Sequence, residues 1–182
     1  FRELVSAGAQ IIDIGAESTR PGATPISALE ELERLKFVLP EILTEVRQKK
    51  LEVEISIDTY HHETAKMVLD LNVNWINDVS GLADIEMISR LKSSQCDIVF
   101  MHNLGVPADK NKTISADKNC VDEVLMWAHE KIISLEKAGI AKERLIFDPG
   151  VGFGKTPAQS LEILKNISEF KILGVRIMLG HS

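Results

Sequence analysis

Short runs of apolar residues alternate along the chain with longer stretches in which apolar positions recur every three or four residues, and each short run ends in polar or glycine-rich residues. That alternation of a flat and a helical period is the mark of a chain that repeats strand and helix. The runs predict strands at Gln10–Ile14, Val53–Ile57, Asn74–Ile76, Asp97–Met101, Leu145–Phe147 and Arg176–Leu179. Each is apolar nearly throughout, which predicts parallel strands covered on both faces.

The intervening stretches predict helices with recognisable ends. Ser27 stands three residues before Glu30, a capping-box spacing, and opens a stripe of Leu29, Leu32, Leu35, Leu39, Ile42 and Val46 in which Pro40 is expected to introduce a kink. A second stripe, Val121, Val124, Leu125, Ala128, Ile132 and Leu135, stops at Gly139, a residue suited to a left-handed helix end. Thr156, Pro157 and Gln159 supply a cap, a first-turn proline and a capping partner for a third helix through Leu161, Leu164, Ile167 and Phe170. Shorter helices are expected over 63–71 and 85–92. The opening Phe1 to Val5 reads as the last turns of a helix ending at Ala7-Gly8, so the chain is expected to begin within an element. Asn103 to Lys118 is the longest segment without a period, either a mobile loop at the mouth of a site or an ordered surface connection.

With 182 residues, 45% of them hydrophobic and 26% charged, the chain is long enough for one hydrophobic core, and residues 1–182 are expected to form a single domain. There are 27 acidic against 21 basic residues, with no basic run, which argues against nucleic acid or an anionic membrane as a partner. Cys96 and Cys120 belong to no C-x-x-C pattern, so neither a zinc site nor a disulfide framework is signalled, and a reducing cytoplasm is the expected location. No apolar stretch approaches the ~20 residues of a membrane helix, and the N-terminus lacks the order of a signal peptide.

In a parallel α/β fold ligands bind at the carboxyl ends of the strands, where loops converge and helix N-termini present free N–H groups. Asp58 and Asp148 each end a strand, with Asn77 ending one between them. One such acid could simply cap a helix or pair with a base; two with an amide suit a flat heterocycle carrying adjacent N–H donors, such as an aminopyrimidinone. Gly150 to Thr156 approaches a phosphate loop, but Pro149 occupies a position where that loop needs glycine, and the dinucleotide fingerprint fails at its third glycine. The plainer expectation is a close turn that exposes Phe153 on the rim and leaves Lys155 a solvated surface lysine. Arg20 is either an anchor for phosphate or carboxylate or the partner of Glu17. His61, His62 and His129 have no metal-ligand spacing and read as surface or capping residues, His102 is a candidate satisfied core histidine, and Asp13 and Asp78 are expected to orient neighbouring backbone. Without a G-x-S-x-G elbow or a Cys/His pairing, transfer between two bound substrates is the more natural chemistry.

In order along the chain, Asp13 to Gly22, Ser56-Ile-Asp58-Thr59, Asn77-Asp78-Val79-Ser80, Met101-His102, Asp148 to Lys155 and Gly180-His181-Ser182 resemble the motifs of the dihydropteroate synthases of folate biosynthesis, over essentially the whole chain. The resemblance implies a (β/α)8 TIM barrel of the α/β class. It also implies a transferase reaction in which 4-aminobenzoate displaces diphosphate from (7,8-dihydropterin-6-yl)methyl diphosphate to give 7,8-dihydropteroate. By position it implies that Asp58, Asn77, Asp148, Val79 and Met101 line the pterin site, and that Thr19, Arg20 and Pro21 lie on a loop near the diphosphate and the aminobenzoate. Gly152, Phe153 and Ser182 would border the aminobenzoate, hence the sulfonamide site, and Arg20 and Asp58 would be the catalytic pair. The work asked of the protein is to orient two rings, stabilise a developing cation at the pterin methylene and neutralise the leaving diphosphate.

Two departures qualify the resemblance. Ala16 replaces the second glycine of the family motif, a mild change if its φ is negative. A barrel of this type usually takes ~250 residues, and the pattern here predicts about six of eight strands. The expectation is therefore a piece with little or no turnover of its own, its Mg²⁺-binding asparagine in an N-terminal segment outside the chain, no metal ligand within it, and homodimer formation as a family habit. Other readings are a pterin-binding domain of methyltetrahydrofolate methyl transfer, a phosphate-loop nucleotide-binding protein, and a non-catalytic scaffold.

Overall fold

The computed structural model describes residues 1–19, 22–109 and 111–180, and over these strand and helix alternate as the pattern predicts. The strands are β1 (Ile11–Gly15), β2 (Glu54–Asp58), β3 (Trp75–Asp78), β4 (Asp97–Met101), β5 (Leu145–Asp148) and β6 (Arg176–Ile177). The helices are α1 (Arg2–Ser6), α2 (Ala28–Lys49), α3 (His62–Asp70), α4 (Ile85–Lys92), α5 (Cys120–Ala138) and α6 (Pro157–Lys165). Each strand pairs in parallel with the next in chain order, so the sheet runs β1-β2-β3-β4-β5-β6. A sheet that always grows in one direction has no point at which its winding reverses. It is the curling wall of a barrel rather than a doubly wound sheet, with six strands among the described residues.

The pleat sorts the side chains of this wall. Ile12, Ile55, Ile57, Ile76, Ile98, Phe100, Leu145 and Phe147 join the helices in one continuous core. Alternate residues point the other way, where Trp75, Val99 and Ile146 form a separate small cluster with Met178. Two residues further along the strands that same inner face carries Asn77, Met101 and Asp148. The expectation of two apolar faces is therefore corrected: beside that small apolar cluster, the inner face of β1 to β5 also holds Asp13, Ser56 and Asp58. β1, β2, β3 and β5 also extend past their apolar runs, into Gly15, Asp58, Asp78 and Asp148, because ladder pairing needs backbone groups rather than apolar side chains. β6 is shorter than predicted.

α2 runs unbroken through Pro40, which sits on its solvent side. Ser27 caps it by accepting the Glu30 N–H at 3.2 Å, while the Glu30 carboxylate turns to Arg34 instead of completing the box. Its buried ridge is Glu31, Leu35, Leu39 and Leu43, rotated from the predicted stripe, so that Leu29 is exposed and Leu32, Ile42 and Val46 are only half-buried. An acid can occupy that ridge because the Thr59 hydroxyl donates to Glu31 at 2.7 Å. α5 is capped by Asn119 and ends at Gly139 with φ 96°, and α6 opens with the Thr156–Gln159 capping box, both as predicted. The segment after β4 is tethered rather than loose where described: Ile114 N–H reaches the Gly154 carbonyl at 3.0 Å and its own carbonyl accepts from Gln159 at 2.8 Å. Among the described residues no helix is long and apolar enough to cross a membrane.

Leu39 is fully enclosed at the centre of α2, whereas Phe37 on the same helix is 70% exposed. Leu39→Ala is expected to cost about 2–5 kcal/mol in urea denaturation, and Phe37→Ala to stay within about 0.5 kcal/mol of the parent.

Candidate functional site

The register of the sheet brings the predicted polar residues together. Asp58 is paired with Asn77 across β2 and β3, and Met101 with Asp148 across β4 and β5, so four consecutive strands deliver their last inward residues to one rim. Asn77 donates its amide N–H to Asp13 Oδ2 at 2.9 Å, which leaves Asn77 Oδ1 as a buried acceptor with no partner among the described residues. Asp58 Oδ1 is in the same condition. Such groups are costly unless something donates to them, so the pair defines a surface that recognises N–H or O–H groups. Asp13 thus orients the Asn77 side chain rather than backbone, a correction to its expected role, while Asp78 does take the Ser80 N–H, at 2.7 Å.

The two site acids differ in charge. Burial carries the Asp58 carboxyl up to about 8, helped by the negative charges of Asp13, Glu31, Asp78 and Glu17. Burial raises Asp148 only to about 6, because the Gly150 N–H, the Lys155 ammonium and the Gly180 N–H hold it down. Near pH 7 Asp58 is therefore protonated, a donor as well as an acceptor, while Asp148 is an anion with two acceptor oxygens. Val79 and Met101 are buried beside them, their carbonyls both accepting from the Asn103 amide.

The loop after β1 is held at its stem by Glu17. One carboxylate oxygen accepts from the Tyr60 hydroxyl at 2.7 Å and from the Ile26 N–H at 3.2 Å, and the other meets His61 Nε2 at 2.9 Å. The stem is thereby tied to the segment that directly follows Asp58. The sequence does not announce this clamp: Glu17 reads from the chain as a partner for Arg20, and His61, expected at the surface, keeps just 17% of its side chain exposed. A carboxylate opposite a Tyr-His pair was the available signal. His62 pairs with Asp84 at 2.7 Å, and His129 is exposed as expected. Ala16 is not among the residues with positive φ, so its replacement of glycine is unstrained. Thr19 is half-buried at the end of the described stem, whereas Arg20, Pro21 and Ser182 lie outside the described residues.

The loop after β5 departs most from expectation. Lys155 is buried, not solvated, with Nζ 2.8 Å from His102 Nδ1, 2.8 Å from the Phe153 carbonyl and 3.0 Å from the Gly150 carbonyl. Its three N–H groups are taken up by two loop carbonyls and His102, so it has none for a phosphate, which removes the phosphate-loop reading. His102 is the buried, satisfied histidine allowed for by its position. Gly150 must be glycine here: its φ is +65° and a Cβ would lie 2.0 Å from the His102 carbonyl oxygen. Gly152 is exposed and Phe153 half-buried on the rim.

A family model described as pterin binding enzyme matches residues 1–182. The probable bifunctional folylpolyglutamate synthase/dihydropteroate synthase of Haloferax volcanii is 38% identical over 181 residues, which are 100% of this chain but 21% of that protein. The chain thus spans about a fifth of that relative's length. The crystal structure of dihydropteroate synthase from Anaplasma phagocytophilum with bound 6-hydroxymethylpterin-monophosphate matches with a TM-score of 0.93 at 40% identity, over 99% of this chain and 70% of that one. The Xanthomonas albilineans dihydropteroate synthase with 4-aminobenzoic acid matches with a TM-score of 0.86 at 34% identity, over 100% of this chain and 62% of that one. All six strands thus have their counterparts in solved barrels of that family.

Gly150→Ala is expected to lower stability by roughly 1–3 kcal/mol or more in chemical denaturation, through overpacking against backbone that cannot rotate away. Asp58→Asn should do the opposite. Because folding raises the Asp58 pKa from 3.8 to about 8, the folded state holds a proton that the unfolded state has lost, and stability falls as pH rises through that interval. The asparagine variant, free of that penalty, should gain on the parent from pH 4 to pH 8 and be more stable by roughly 1–2 kcal/mol at the upper end, measured by thermal melts across the range.

Proposed function

We propose, from the premise that the chain belongs to the pterin-binding enzyme family, that it is the ring-binding part of a dihydropteroate synthase, joining a pterin methyl diphosphate to 4-aminobenzoate. The observation that carries this reading is the Asp58–Asn77–Asp148 rim, on which two buried oxygens, Asp58 Oδ1 and Asn77 Oδ1, have no partner among the described residues. An aminopyrimidinone offers an N–H and an amino group side by side, which the ionised Asp148 can accept together, and it offers ring nitrogens and further N–H groups to the protonated Asp58 and the free Asn77 oxygen. The relatives from Anaplasma phagocytophilum and Xanthomonas albilineans, with a pterin phosphate and 4-aminobenzoic acid bound, support the same pair of ligand classes.

In the reaction the amine nitrogen of 4-aminobenzoate forms a bond to the pterin methylene carbon. The bond from that carbon to the diphosphate oxygen breaks, its electron pair leaves with diphosphate, and the new secondary amine loses a proton. The chain's part is to hold the pterin flat at the rim and to place the negative Asp148 and the neutral Asp58 where positive charge spreads from the methylene into the ring. Thr19, Arg20 and Pro21 are assigned to the diphosphate and aminobenzoate side, and Gly152, Phe153 and Ser182 to the aminobenzoate pocket, which sulfonamides would share. Among the described residues no group of three or more His, Cys, Asp or Glu side chains gathers as a metal site. A cytoplasmic location and a homodimer belong to the same proposal.

The test is binding of 6-hydroxymethylpterin followed by calorimetry. Asp148→Ala and Asp58→Ala should each weaken it by about 1–3 kcal/mol, the scale of a lost hydrogen bond to a charged or buried partner. Unchanged affinity in both variants rejects the site. In the full-length protein, 4-aminobenzoate should bind only when the pterin site is filled and diphosphate is present; a methyl-transfer barrel would bind methyltetrahydrofolate instead.

A further inference from the structure

Among the described residues Lys155 is a buried charge with every N–H group engaged, and the chemistry proposed above makes no use of it. Besides its three short contacts its Nζ lies 3.4 Å from the His102 carbonyl. With three N–H groups and three acceptors within 3.0 Å it is saturated, so it can influence a bound ring only through the residues it holds. Those residues belong to the site. Gly150, whose carbonyl it binds, sends its own N–H to Asp148 Oδ1 at 2.7 Å. Phe153, whose carbonyl it also binds, borders the assigned aminobenzoate pocket. His102 directly follows Met101, and its backbone N–H meets the Asp148 carbonyl at 2.9 Å.

We propose that Lys155 is a positioning residue for both ring sites: an internal cation around which the Asp148–Phe153 loop curls, fixing together the direction of the Asp148 carboxylate and the place of Phe153. This rests on the reading of the rim as a pterin and aminobenzoate site. The loop has a physical need for such a group. Gly150, Gly152 and Gly154 adopt φ of +65°, +84° and +63°, a sequence of left-handed turns, and the Gly150 and Phe153 carbonyls converge on the one ammonium group. Without a donor among them they would be unpaired in a buried place. His102 completes the arrangement as a neutral acceptor, since burial and the adjacent ammonium lower its pKa to about 3. Burial draws the Lys155 ammonium down to about 7, against the raising effect of Cys120 and Asp148, so it is a cation through the range in which Asp148 ionises, and Lys155 is the charged side chain acting on Asp148. The same cation that shapes the loop therefore also favours the ionised Asp148.

The experiment compares Lys155→Met, which removes charge and donors, with Lys155→Gln, which restores N–H donors alone, in the full-length protein. Folding is followed by circular dichroism, and KM for each substrate and the pH profile of kcat/KM are measured. Lys155→Met is expected to raise KM for 4-aminobenzoate roughly tenfold or more, and to move the acidic limb of the profile upward by about one unit as Asp148 loses its neighbouring charge. Lys155→Gln should recover part of the KM but not the position of the limb. A folded Lys155→Met protein with unchanged KM and pH profile, merely melting at a lower temperature, overturns the proposal. If the variants do not fold, the ¹⁵N shifts of His102 in the unmodified protein decide. The Nε2–H tautomer, neutral between about pH 5 and 8, is expected, and titration or the Nδ1–H tautomer there refutes the arrangement. Should the unmodified protein form no dihydropteroate and bind neither ring, the proposed function fails; normal turnover with indifferent variants sinks the role of Lys155 alone.

Discussion

The two-residue alternation of six parallel strands is the constraint on which the rest of this molecule depends. One face of each strand must be apolar, because helices α2 to α6 pack on it, and Ile12, Ile57, Ile76, Phe100 and Phe147 meet that demand. The opposite face is thereby released from hydrophobic duty. Low on that wall Trp75, Val99 and Ile146 still pack together, but at the strand ends the same face carries Asp58, Asn77 and Asp148. A one-residue slip in any strand would exchange the two sets, placing acids in the core and isoleucines on the rim. Register and function are thus specified by the same pattern.

Burying acids in this way has electrostatic consequences that suit the proposed chemistry. Asp58, Asp78 and Asp148 all have raised pKa values with burial as the leading cause, so the folded state is under electrostatic tension that a bound ring with N–H donors would relieve. What separates the acids is their local donors. Asp148 receives two backbone N–H groups and a nearby ammonium, whereas Asp58 faces mostly other acids. Two carboxyl groups of equal intrinsic strength consequently enter neutral solution in different states, and the difference comes from the loops rather than the strands.

Those loops are internally fastened. Glu17 binds the stem after β1 to Tyr60 and His61 behind Asp58, and Lys155 binds the loop after β5 to His102 at the end of β4. In each case a buried charge connects two neighbouring strand ends, which is a way to hold irregular backbone steady without an apolar core of its own. Both residues had unremarkable sequence readings, Glu17 as one half of a local salt bridge and Lys155 as a surface lysine.

The elements and their order, the caps of α5 and α6, and the presence of a polar residue at successive strand ends could all be read from the chain alone, because they depend on periodicity and on contacts between near neighbours. The family motifs belong with them, since a resemblance is carried by residue identity in order. The buried face of α2 could not be read. Glu31 is tolerated there with the help of groups far away in sequence, among them the Thr59 hydroxyl that donates to it. The partition of each apolar run into a helix side and a ring side was equally hidden, since both faces of β3 to β5 contain apolar residues. The fate of Lys155 was decided solely by the convergence of two loop carbonyls and a histidine from another strand. Near-neighbour physics is written in the sequence, whereas the burial of a charge depends on which distant groups arrive to meet it.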